Sequence, residues 1–273
     1  MKPFEGILLC TDLDGTLLKN DKRISEENLQ AIRHFQNGGG AFTFITGRMP
    51  YFVSDICKTV EPNVPFGCIN GGGIYDYENN RYVWTRELEH SVLELVQYAD
   101  EHLPNLGIQV NTFDKIYFCR ENDAMVHFRS LTGVANLQAE IHEIREPIAK
   151  IVFGDLDENK ILHLQNLLNE HPRANEFDFI RSEYMLYEIL PKGISKGNVL
   201  LKMAELLHMD SKRTIGVGDY NNDISLLRAA GVGIAVSNAT PEAKAAADRI
   251  TVSNEEHAIA RIIYDIENGD IPV

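Results

Sequence analysis

The chain has 273 residues, of which 44% are hydrophobic and 24% are charged, and its net charge at pH 7 is −14. This is the composition of an ordinary globular protein and excludes a disordered or low-complexity chain. The acidic balance excludes a general electrostatic surface for nucleic acid or for an anionic membrane, so an anionic ligand must be held by local cations or by a metal. The length predicts one large or two modest domains.

Two features of the sequence predict a cytoplasmic protein. No run approaches the ~18 consecutive apolar residues of a membrane span, and the N-terminus becomes acidic too early for a signal peptide. The cysteines show no C-x-x-C spacing, and three of them lie in apolar, strand-like segments. We therefore expect four reduced thiols in the core: Cys10, Cys57, Cys68 and Cys119.

The first third of the chain alternates short apolar runs with amphipathic helices. Three runs end in polar residues, as strands buried on both faces do: residues 5–11, 41–45 and 66–69. The spacing predicts one helix over 26–36, capped by Ser25, and another over 51–60. Strands and helices joined by short links in this order indicate crossover units and a parallel sheet.

The same alternation returns in the last third. Helices are predicted over 196–208, 221–230, 241–247 and 255–266. The strands predicted between them are 214–217, 233–236 and 249–252. This part therefore continues the same doubly wound sheet.

The middle of the chain has a different pattern. Its predicted helices are 91–102, 122–131 and 158–169. They alternate with longer strands that mix polar and apolar residues, which is typical of a sheet with one wet face: 109–120, 150–153 and 177–190. We therefore predict an α/β fold with a doubly wound, Rossmann-like parallel-sheet core, residues 1–81 and 191–273, into which an α+β domain of residues 82–190 is inserted.

Polar segments follow the predicted core strands at the points where the strands end. Ligands of open parallel sheets bind at the carboxyl ends of the strands, so we expect these segments to meet at one mouth. The segments are Asp12-Leu13-Asp14-Gly15-Thr16, Thr46-Gly47-Arg48, Asn70-Gly71-Gly72 and Gly218-Asp219-Tyr220-Asn221-Asn222-Asp223.

The acidic residues among them favour a metal site. Asp12 and Asp14 are two residues apart, so on an extended chain both side chains project to the same side, where they repel each other unless a cation or a shared proton intervenes. Asp219 and Asp223 bring the number of carboxylates to four, and such oxygen ligands suit Mg²⁺. Neither acidic segment has the spacing of an EF-hand. The alternative for Asp12 and Asp14 alone is a pair of turn residues before Gly15.

Four motifs in this order resemble those of the haloacid dehalogenase-like superfamily: Asp12-Leu13-Asp14-Gly15-Thr16, Thr46-Gly47-Arg48, Lys196 and Gly218-Asp219-Tyr220-Asn221-Asn222-Asp223. The segments 191–197 and 236–239 are similar to those of its Cof-type phosphatases. The resemblance covers roughly residues 5–75 and 188–266. The insertion occupies the place of the family's large C2-type cap, which implies that residues 82–190 set substrate specificity.

The resemblance implies a Mg²⁺-dependent phosphatase that hydrolyses small-molecule phosphomonoesters, such as sugar phosphates, through an aspartyl-phosphate. Asp12 is then the nucleophile, and Asp14 is the general acid and base. To carry a proton near pH 7, Asp14 needs a pKa well above the reference of about 3.9, raised by burial or by neighbouring anions.

The resemblance also implies a ligand set. The implied metal ligands are the carboxylates of Asp12 and Asp219 and the backbone carbonyl of Asp14. Asn222 and Asp223 complete the shell, directly or through water and Lys196. The implied phosphate ligands are Thr46, Gly47, Lys196 and Asn222.

Structural roles are the alternative for several of these residues. Thr46 alone fits a cap for the helix that follows, and Asp219–Asp223 fits a polar turn that caps the next helix. Lys196 lies in the first turn of a helix, where the dipole disfavours a cation, and this misfit favours an anionic partner. Arg48 and Asn70 lie beside the site, with structural roles as the alternative.

The sequence also offers alternatives to this function. Gly193-Ile194-Ser195-Lys196-Gly197 matches the G-x-S-x-G elbow of serine hydrolases, and Asp219 and His257 follow it in the right order, but Pro191 interrupts the strand that an elbow needs. Phosphosugar mutases and a non-catalytic relative that binds a phosphorylated metabolite are alternatives within the superfamily. In the insertion, Arg120, Lys150 and Arg181 are candidates for an anionic substrate tail, with solvated strand residues as the alternative.

Overall fold

The computed structural model describes residues 2–273, which form two compact units. The first unit consists of the residues up to Thr85 together with Ser195–Val273, and the second unit is Arg86–Ile194. Both boundaries lie a few residues beyond 81 and 190, the predicted ends. Residues 81–85 belong to the first unit because they form a strand that pairs with 73–76 of the same unit.

The strands, in chain order, are β1 Leu8–Thr11, β2 Ala41–Phe44, β3 Phe66–Cys68, β4 Gly73–Asp76, β5 Arg81–Thr85, β6 Gly107–Thr112, β7 Ile116–Arg120, β8 Leu137–Gln138, β9 Ile148–Gly154, β10 Phe177–Glu183, β11 Leu186–Pro191, β12 Thr214–Gly218, β13 Val232–Ala235 and β14 Arg249–Ile250. The helices are α1 Glu26–Asn37, α2 Ser54–Val60, α3 Val92–His102, α4 Asp123–Thr132, α5 Glu158–Asn169, α6 Lys196–Leu206, α7 Ile224–Ala229, α8 Pro241–Ala246 and α9 Ala258–Glu267.

The first unit is built on a five-stranded parallel sheet in the order β14-β13-β12-β1-β2. Leu8 and Cys10 of β1 pack on the same core cluster as Val199 and Met203 of α6. Helix α1 packs against α9, and α6 packs against α7. The doubly wound α/β core is therefore confirmed. Because β1 and β12 are neighbours in the sheet, the polar segments that follow them start side by side.

The predicted helix cap and the predicted state of the cysteines are confirmed. The Ser25 side chain accepts a hydrogen bond from the backbone N–H of Asn28 at the start of α1. This arrangement satisfies one of the donors that the first turn of a helix leaves without an intrahelical partner. All four cysteines are buried free thiols.

The prediction that residues 66–69 form a further strand of the parallel sheet is wrong. Strand β3 reaches β2 only through a single bridge between Ile45 and Gly67, and it pairs instead with β4 in a three-stranded antiparallel sheet, β3-β4-β5. The cause is local, because a turn over residues 69–72 reverses the chain directly after β3.

The second unit is an α+β domain, as predicted. Its six-stranded sheet has the order β10-β11-β9-β6-β7-β8, and every pair is antiparallel except β7 with β8. Helices α3 and α5 cover one face of it. The predicted long strands 109–120 and 177–190 are wrong, since each is a hairpin: β6 with β7, and β10 with β11. Their short turns contain no glycine or proline that would have marked them in the sequence.

The three basic residues singled out in the insertion are all engaged in ion pairs. Arg120 lies near Asp100 and Glu140, and Arg181 pairs with Glu158. For Lys150 the alternative of a solvated strand residue is wrong, because its side chain is buried and donates to Glu188.

Among residues 2–273, no helix has both the length and the apolar character that spanning a bilayer would demand.

Candidate active site

Asp12, the first residue after β1, is joined to the sheet and to a buried lysine. Its backbone N–H donates to the carbonyl of Val217 at 2.8 Å, which extends the pairing of β1 with β12 by one residue. Its Oδ1 accepts a hydrogen bond from Lys196 Nζ at 2.6 Å. The same Nζ donates to Asp223 Oδ1 at 2.5 Å. Lys196 is 1% exposed, so the two carboxylates, and not water, neutralise its charge.

The anionic partner expected for Lys196 is therefore present. Lys196 is the first residue of α6, an end of the helix where a positive charge is unfavourable. Ser195 caps this helix, since its Oγ accepts a hydrogen bond from the backbone N–H of Asn198 at 3.1 Å. The serine hydroxyl thus has a structural task at the N-terminus of α6.

Replacing Ser195 with alanine is expected to lower the free energy of unfolding by about 1 kcal/mol, because the helix loses its cap. Hydrolysis of phosphate esters should be nearly unchanged. Urea unfolding and phosphate release measure the two quantities, with Ser195→Thr as the control that keeps a capping hydroxyl. Complete loss of activity in the alanine variant alone would instead favour the serine-hydrolase alternative.

Three carboxylates surround one small volume. Asp12, Asp219 and Asp223 each offer an oxygen, and these oxygens all lie within 4.8 Å of one another. Asp219 is oriented by Thr16, whose Oγ1 donates to Asp219 Oδ1 at 2.9 Å. Gly15 makes this approach possible, because its φ is +80° and a Cβ there would lie 2.4 Å from Asp219 Oδ2.

Asp223 shapes the loop after β12 as well as pairing with Lys196. Its Oδ2 accepts hydrogen bonds from the backbone N–H groups of Asp219 and Tyr220, at 2.9 and 3.1 Å. It is fully buried. This one side chain therefore both holds the loop and pairs with Lys196, but it does not cap α7, which has no side-chain cap.

The charges at this site do not balance. Burial, together with the neighbouring Asp223 and Asp219, raises the pKa of Asp12 to about 8 against the opposing charge and hydrogen bond of Lys196. Burial and the neighbouring Asp223 raise the pKa of Asp219 to about 6 against the hydrogen bond from Thr16. Three carboxylates thus share a single buried ammonium group. An all-oxygen donor set with surplus negative charge fits a hard divalent cation such as Mg²⁺.

The apparent affinity for Mg²⁺ is expected to rise between pH 6 and pH 8, the range set by the raised pKa values of Asp219 and Asp12. Below each pKa a proton occupies the carboxylate, so binding the cation must release that proton. Calorimetric titration in buffers of different ionisation enthalpy measures the released protons directly. An affinity that is independent of pH across this range, with no proton release, would contradict these pKa values.

Asp14 lies in a cationic environment, contrary to expectation. Arg48 donates to it through Nε at 2.9 Å and through Nη2 at 2.7 Å, and Lys22 Nζ donates at 2.8 Å. Burial raises the pKa of Asp14, but the hydrogen bonds and charges of Arg48 and Lys22 outweigh burial and hold the pKa below its usual value. The expected raised pKa is wrong for this conformation, in which Asp14 is a carboxylate.

The segment Thr46-Gly47-Arg48 is joined to the rest of the site through Asn70. Thr46 Oγ1 accepts a hydrogen bond from the backbone N–H of Arg48 at 3.2 Å, so it closes a turn and does not cap the helix after Pro50. A Cβ on Gly47 would lie 2.8 Å from Asn70 Oδ1. Asn222 Nδ2 donates to the same Asn70 oxygen at 3.3 Å.

Asn70 sits in a strained segment. Ile69, Asn70 and Gly71 have successive φ values of +56°, +53° and +104°, and a β-branched residue such as Ile69 rarely adopts this conformation. The backbone N–H of Asn70 donates to Thr46, and that of Ile69 donates to Arg48. Strain of this kind persists where surrounding contacts enforce it, as these do.

All eight sequence-predicted site residues lie in the first unit, and hydrogen bonds or close packing tie each of them to the site. Sequence reasoning placed Arg48 and Asn70 beside the site without naming their partners, and it gave no role to Thr16 or Lys22. Thr16 lies within the motif that begins at Asp12, and Arg48 directly follows Gly47. Their positions in the sequence therefore indicated that both lie near the site. Lys22 has no such signal, because it reaches Asp14 from an irregular loop.

Comparison with known proteins places the chain in a family. The sequence profile of the haloacid dehalogenase-like hydrolase family matches residues 9–263 of this chain. The 5-amino-6-(5-phospho-D-ribitylamino)uracil phosphatase YitU of Bacillus subtilis is 26% identical over 97% of this chain and 97% of its own length. Phosphatase YwpJ of the same organism is 27% identical over 94% of this chain and 98% of its own length.

A solved structure agrees with this assignment. A haloacid dehalogenase-like hydrolase from Bacteroides thetaiotaomicron superimposes with a TM-score of 0.82 at 26% identity, over 96% of this chain and 99% of that chain. The structural similarity therefore covers both the core and the inserted domain. The chain belongs to the haloacid dehalogenase-like hydrolases, as a phosphoric monoester hydrolase of their Cof-type group.

Proposed function

We propose that this chain is a Mg²⁺-dependent phosphatase that hydrolyses small phosphorylated metabolites, sugar phosphates or related monoesters, through an aspartyl-phosphate on Asp12. The observation that carries the proposal is the Asp12 carboxylate, held by Lys196 at 2.6 Å beside Asp219 and Asp223. A relative named for the phosphate ester of a ribitylamino-uracil supports a small-molecule substrate.

In the first half of the reaction, an Asp12 carboxylate oxygen forms a bond to phosphorus and the bond from phosphorus to the leaving alcohol oxygen breaks. Asp14 gives its proton to that oxygen. In the second half, a water oxygen attacks the same phosphorus and passes a proton to Asp14, and inorganic phosphate leaves as the Asp12 carboxylate is restored. The two steps replace one difficult displacement.

Four oxygen donors are proposed to hold Mg²⁺: the carboxylates of Asp12, Asp219 and Asp223 and the backbone carbonyl of Asp14. When bound, the cation supplies positive charge that offsets the repulsion between Asp12 and the phosphate dianion. Lys196 contributes to the same neutralisation. Thr46, the Gly47 amide and Asn222 are proposed to hold the phosphate oxygens, and Asn70 positions the last two relative to each other.

The acid role of Asp14 requires a change in its surroundings. A carboxylate held by Arg48 and Lys22 carries no proton to donate. An approaching phosphate is an alternative anionic partner for both cations. We propose that such an exchange releases Asp14 and raises its pKa toward neutrality.

A screen of phosphorylated metabolites with Mg²⁺ tests the proposed function. Release of inorganic phosphate without a bisphosphate activator is expected, and specificity constants rank the substrates. Release only after addition of a bisphosphate would favour a mutase. Binding without any turnover, including that of p-nitrophenyl phosphate, would favour a non-catalytic relative.

A further inference from the structure

A polar loop of the first unit lies beside the acidic site but has no part in the proposed chemistry. It consists of residues 236–240, which run from the end of β13 to the start of α8 and are named here the bridging loop. The backbone N–H of Val236 donates to Gly218 at 3.3 Å, and that of Ser237 donates to Val252 at 3.2 Å. The loop therefore continues the parallel sheet at the end where the acidic site lies.

The last residue of the bridging loop holds the segment that carries Asp219. The backbone N–H of Thr240 donates to the carbonyl of Asp219 at 2.9 Å. Thr240 Oγ1 donates to Asn221 Oδ1 at 3.2 Å, and the same oxygen accepts from the backbone N–H of Ala243 in α8. The backbone at Asp219 is therefore fixed to the bridging loop independently of what the Asp219 carboxylate binds.

The middle of the bridging loop holds residues 12–18, named here the Asp12 loop. Asn238 Nδ2 donates to the carbonyl of Gly15 at 2.8 Å. Asn238 Oδ1 accepts from the backbone N–H of Asn254 at 3.0 Å. Although Asn238 is exposed, both ends of its amide are therefore engaged by backbone groups of two other segments.

Asn254 makes a second contact with the Asp12 loop. This residue is 2% exposed, and its Nδ2 donates to the carbonyl of Leu18 at 2.9 Å. Leu18 closes the Asp12 loop on itself, since its backbone N–H donates to the carbonyl of Leu13 at 2.8 Å. The amides of two asparagines therefore hold the Asp12 loop at two of its carbonyls, those of Gly15 and Leu18.

The two segments joined in this way carry charges that repel each other. Asp12 lies on one segment and Asp219 and Asp223 on the other, and their oxygens lie within 4.8 Å of one another. Carboxylates this close push the segments apart unless other contacts hold them. The hydrogen bond from Thr16 to Asp219 is one such contact. Since residues 236–240 are all uncharged, the bridging loop opposes the repulsion without adding charge.

We propose that Asn238 and Asn254 are positioning residues, which keep the Asp12 loop and Asp219 at the separation that a divalent cation needs. The inference rests on the proposed function, in which oxygens of both segments hold Mg²⁺. A site that is assembled in advance binds more tightly, because less ordering remains to be done on binding. Asn238 acts through the carbonyl of Gly15, one peptide unit from the carbonyl of Asp14.

Replacing Asn238 with alanine should raise the dissociation constant for Mg²⁺ by about 10-fold, the scale on which groups behind metal ligands act. Asn254→Ala should weaken binding in the same direction. The affinity is measured on the full chain without substrate, from the shift of the urea midpoint as MgCl₂ is added at constant ionic strength. A cation that binds only the native state stabilises it by an amount that its dissociation constant sets.

Asn63→Ala is the matched control. Asn63 is also exposed and also engages two backbone groups, because its Oδ1 accepts from Phe42 at 2.8 Å and its Nδ2 donates to Gly40 at 3.0 Å. These groups lie near the start of β2, at the opposite end of the sheet from the acidic site. Both alanine variants should lose about 2–4 °C in unfolding temperature. Only Asn238→Ala should bind Mg²⁺ more weakly than the parent protein.

Activity gives a second readout that a purely structural role would not move. Half-maximal phosphate release by Asn238→Ala should require about 10-fold more Mg²⁺ than the parent protein requires. Turnover at saturating Mg²⁺ should return close to that of the parent, because the variant keeps every group that is proposed to touch the substrate. A loss of kcat that saturating Mg²⁺ does not restore would overturn the inference.

The outcomes separate the inference from the proposed function. If the parent protein, Asn238→Ala and Asn63→Ala bind Mg²⁺ with one dissociation constant, the function stands and the inference fails. The inference also fails if both variants weaken binding equally, because the affinity then follows stability alone. If the parent protein neither binds Mg²⁺ nor requires it for turnover, the proposed function fails and the inference fails with it.

Discussion

Replacing Asp12 with asparagine is expected to reduce the turnover of phosphate esters by on the order of 10⁴-fold or more, because the side chain that attacks phosphorus is lost. The amide is nearly isosteric, and its oxygen still accepts a hydrogen bond from Lys196. Removing one of three crowded carboxylates should also leave the unfolding temperature unchanged or higher. Phosphate release with Mg²⁺ and thermal unfolding measure the two effects.

The matched control is Asp55→Asn, the same chemical change at a side chain that is 95% exposed and pairs with Lys58. It should alter neither activity nor stability. Loss of a nucleophile lowers turnover far more than about tenfold. An Asp12 variant that keeps activity within about tenfold of the parent would therefore contradict the role of Asp12.

Replacing Lys196 with methionine is expected to be the most destabilising change at the site. It leaves the carboxylates of Asp12 and Asp223 buried without their ammonium partner, and breaking such a pair costs about 3–5 kcal/mol. Activity should fall as well, since the transferred phosphoryl group loses a neutralising charge. Urea unfolding at pH 7 and phosphate release quantify the losses.

The pH dependence of the Lys196 variant identifies the cause of its instability. Without the lysine, the pKa of Asp12 rises further above its unfolded value, so the native state binds more protons than the unfolded state. Stability relative to the parent should therefore recover as the pH falls from 8 toward 5. Lys202→Met, on the exposed side of the same helix, should show no such effect.

A double variant separates stability from activity. Adding Asp223→Asn to Lys196→Met removes one of the uncompensated charges, so much of the lost stability should return while activity stays low. A single Lys196 variant as stable as the parent protein would mean that the ion pairs with Asp12 and Asp223 contribute little.

The parallel core was predictable because its sequence signals are local and mutually consistent. Short apolar runs alternate with capped helices, and topology then brings the segments after β1 and β12 to one edge of the sheet. The proximity of Asp12, Lys196, Asp219 and Asp223 follows from that geometry, although the residues are far apart in the chain.

The hairpins and the surroundings of Asp14 were not predictable in the same way. The turn between β10 and β11 contains neither glycine nor proline, so the sequence pattern predicts one long strand where the structure has two. The low pKa of Asp14 depends on Arg48 and on Lys22, which approach from separate loops. Loop side chains follow no periodicity, and their meeting is decided by tertiary packing.

The buried state of Lys150 was hidden for a related reason. Alternation along β9 correctly separates two faces of the sheet, but it does not reveal that the polar face is closed to solvent. From the sequence alone, a lysine on such a strand is predicted to be exposed to solvent unless its partner on the neighbouring strand is known. Glu188 lies on a strand that the sequence did not resolve from its neighbour.

The most direct test of the account is to trap the phosphorylated protein. Full-length protein with Mg²⁺ and an excess of a good substrate is quenched in acid within milliseconds, and the modified peptide is identified by mass spectrometry. We predict a base-labile acyl-phosphate on Asp12 that disappears when a chelator is added and in Asp12→Asn. Phosphate attached to any other side chain, or turnover that continues undiminished in the chelated protein, would contradict it.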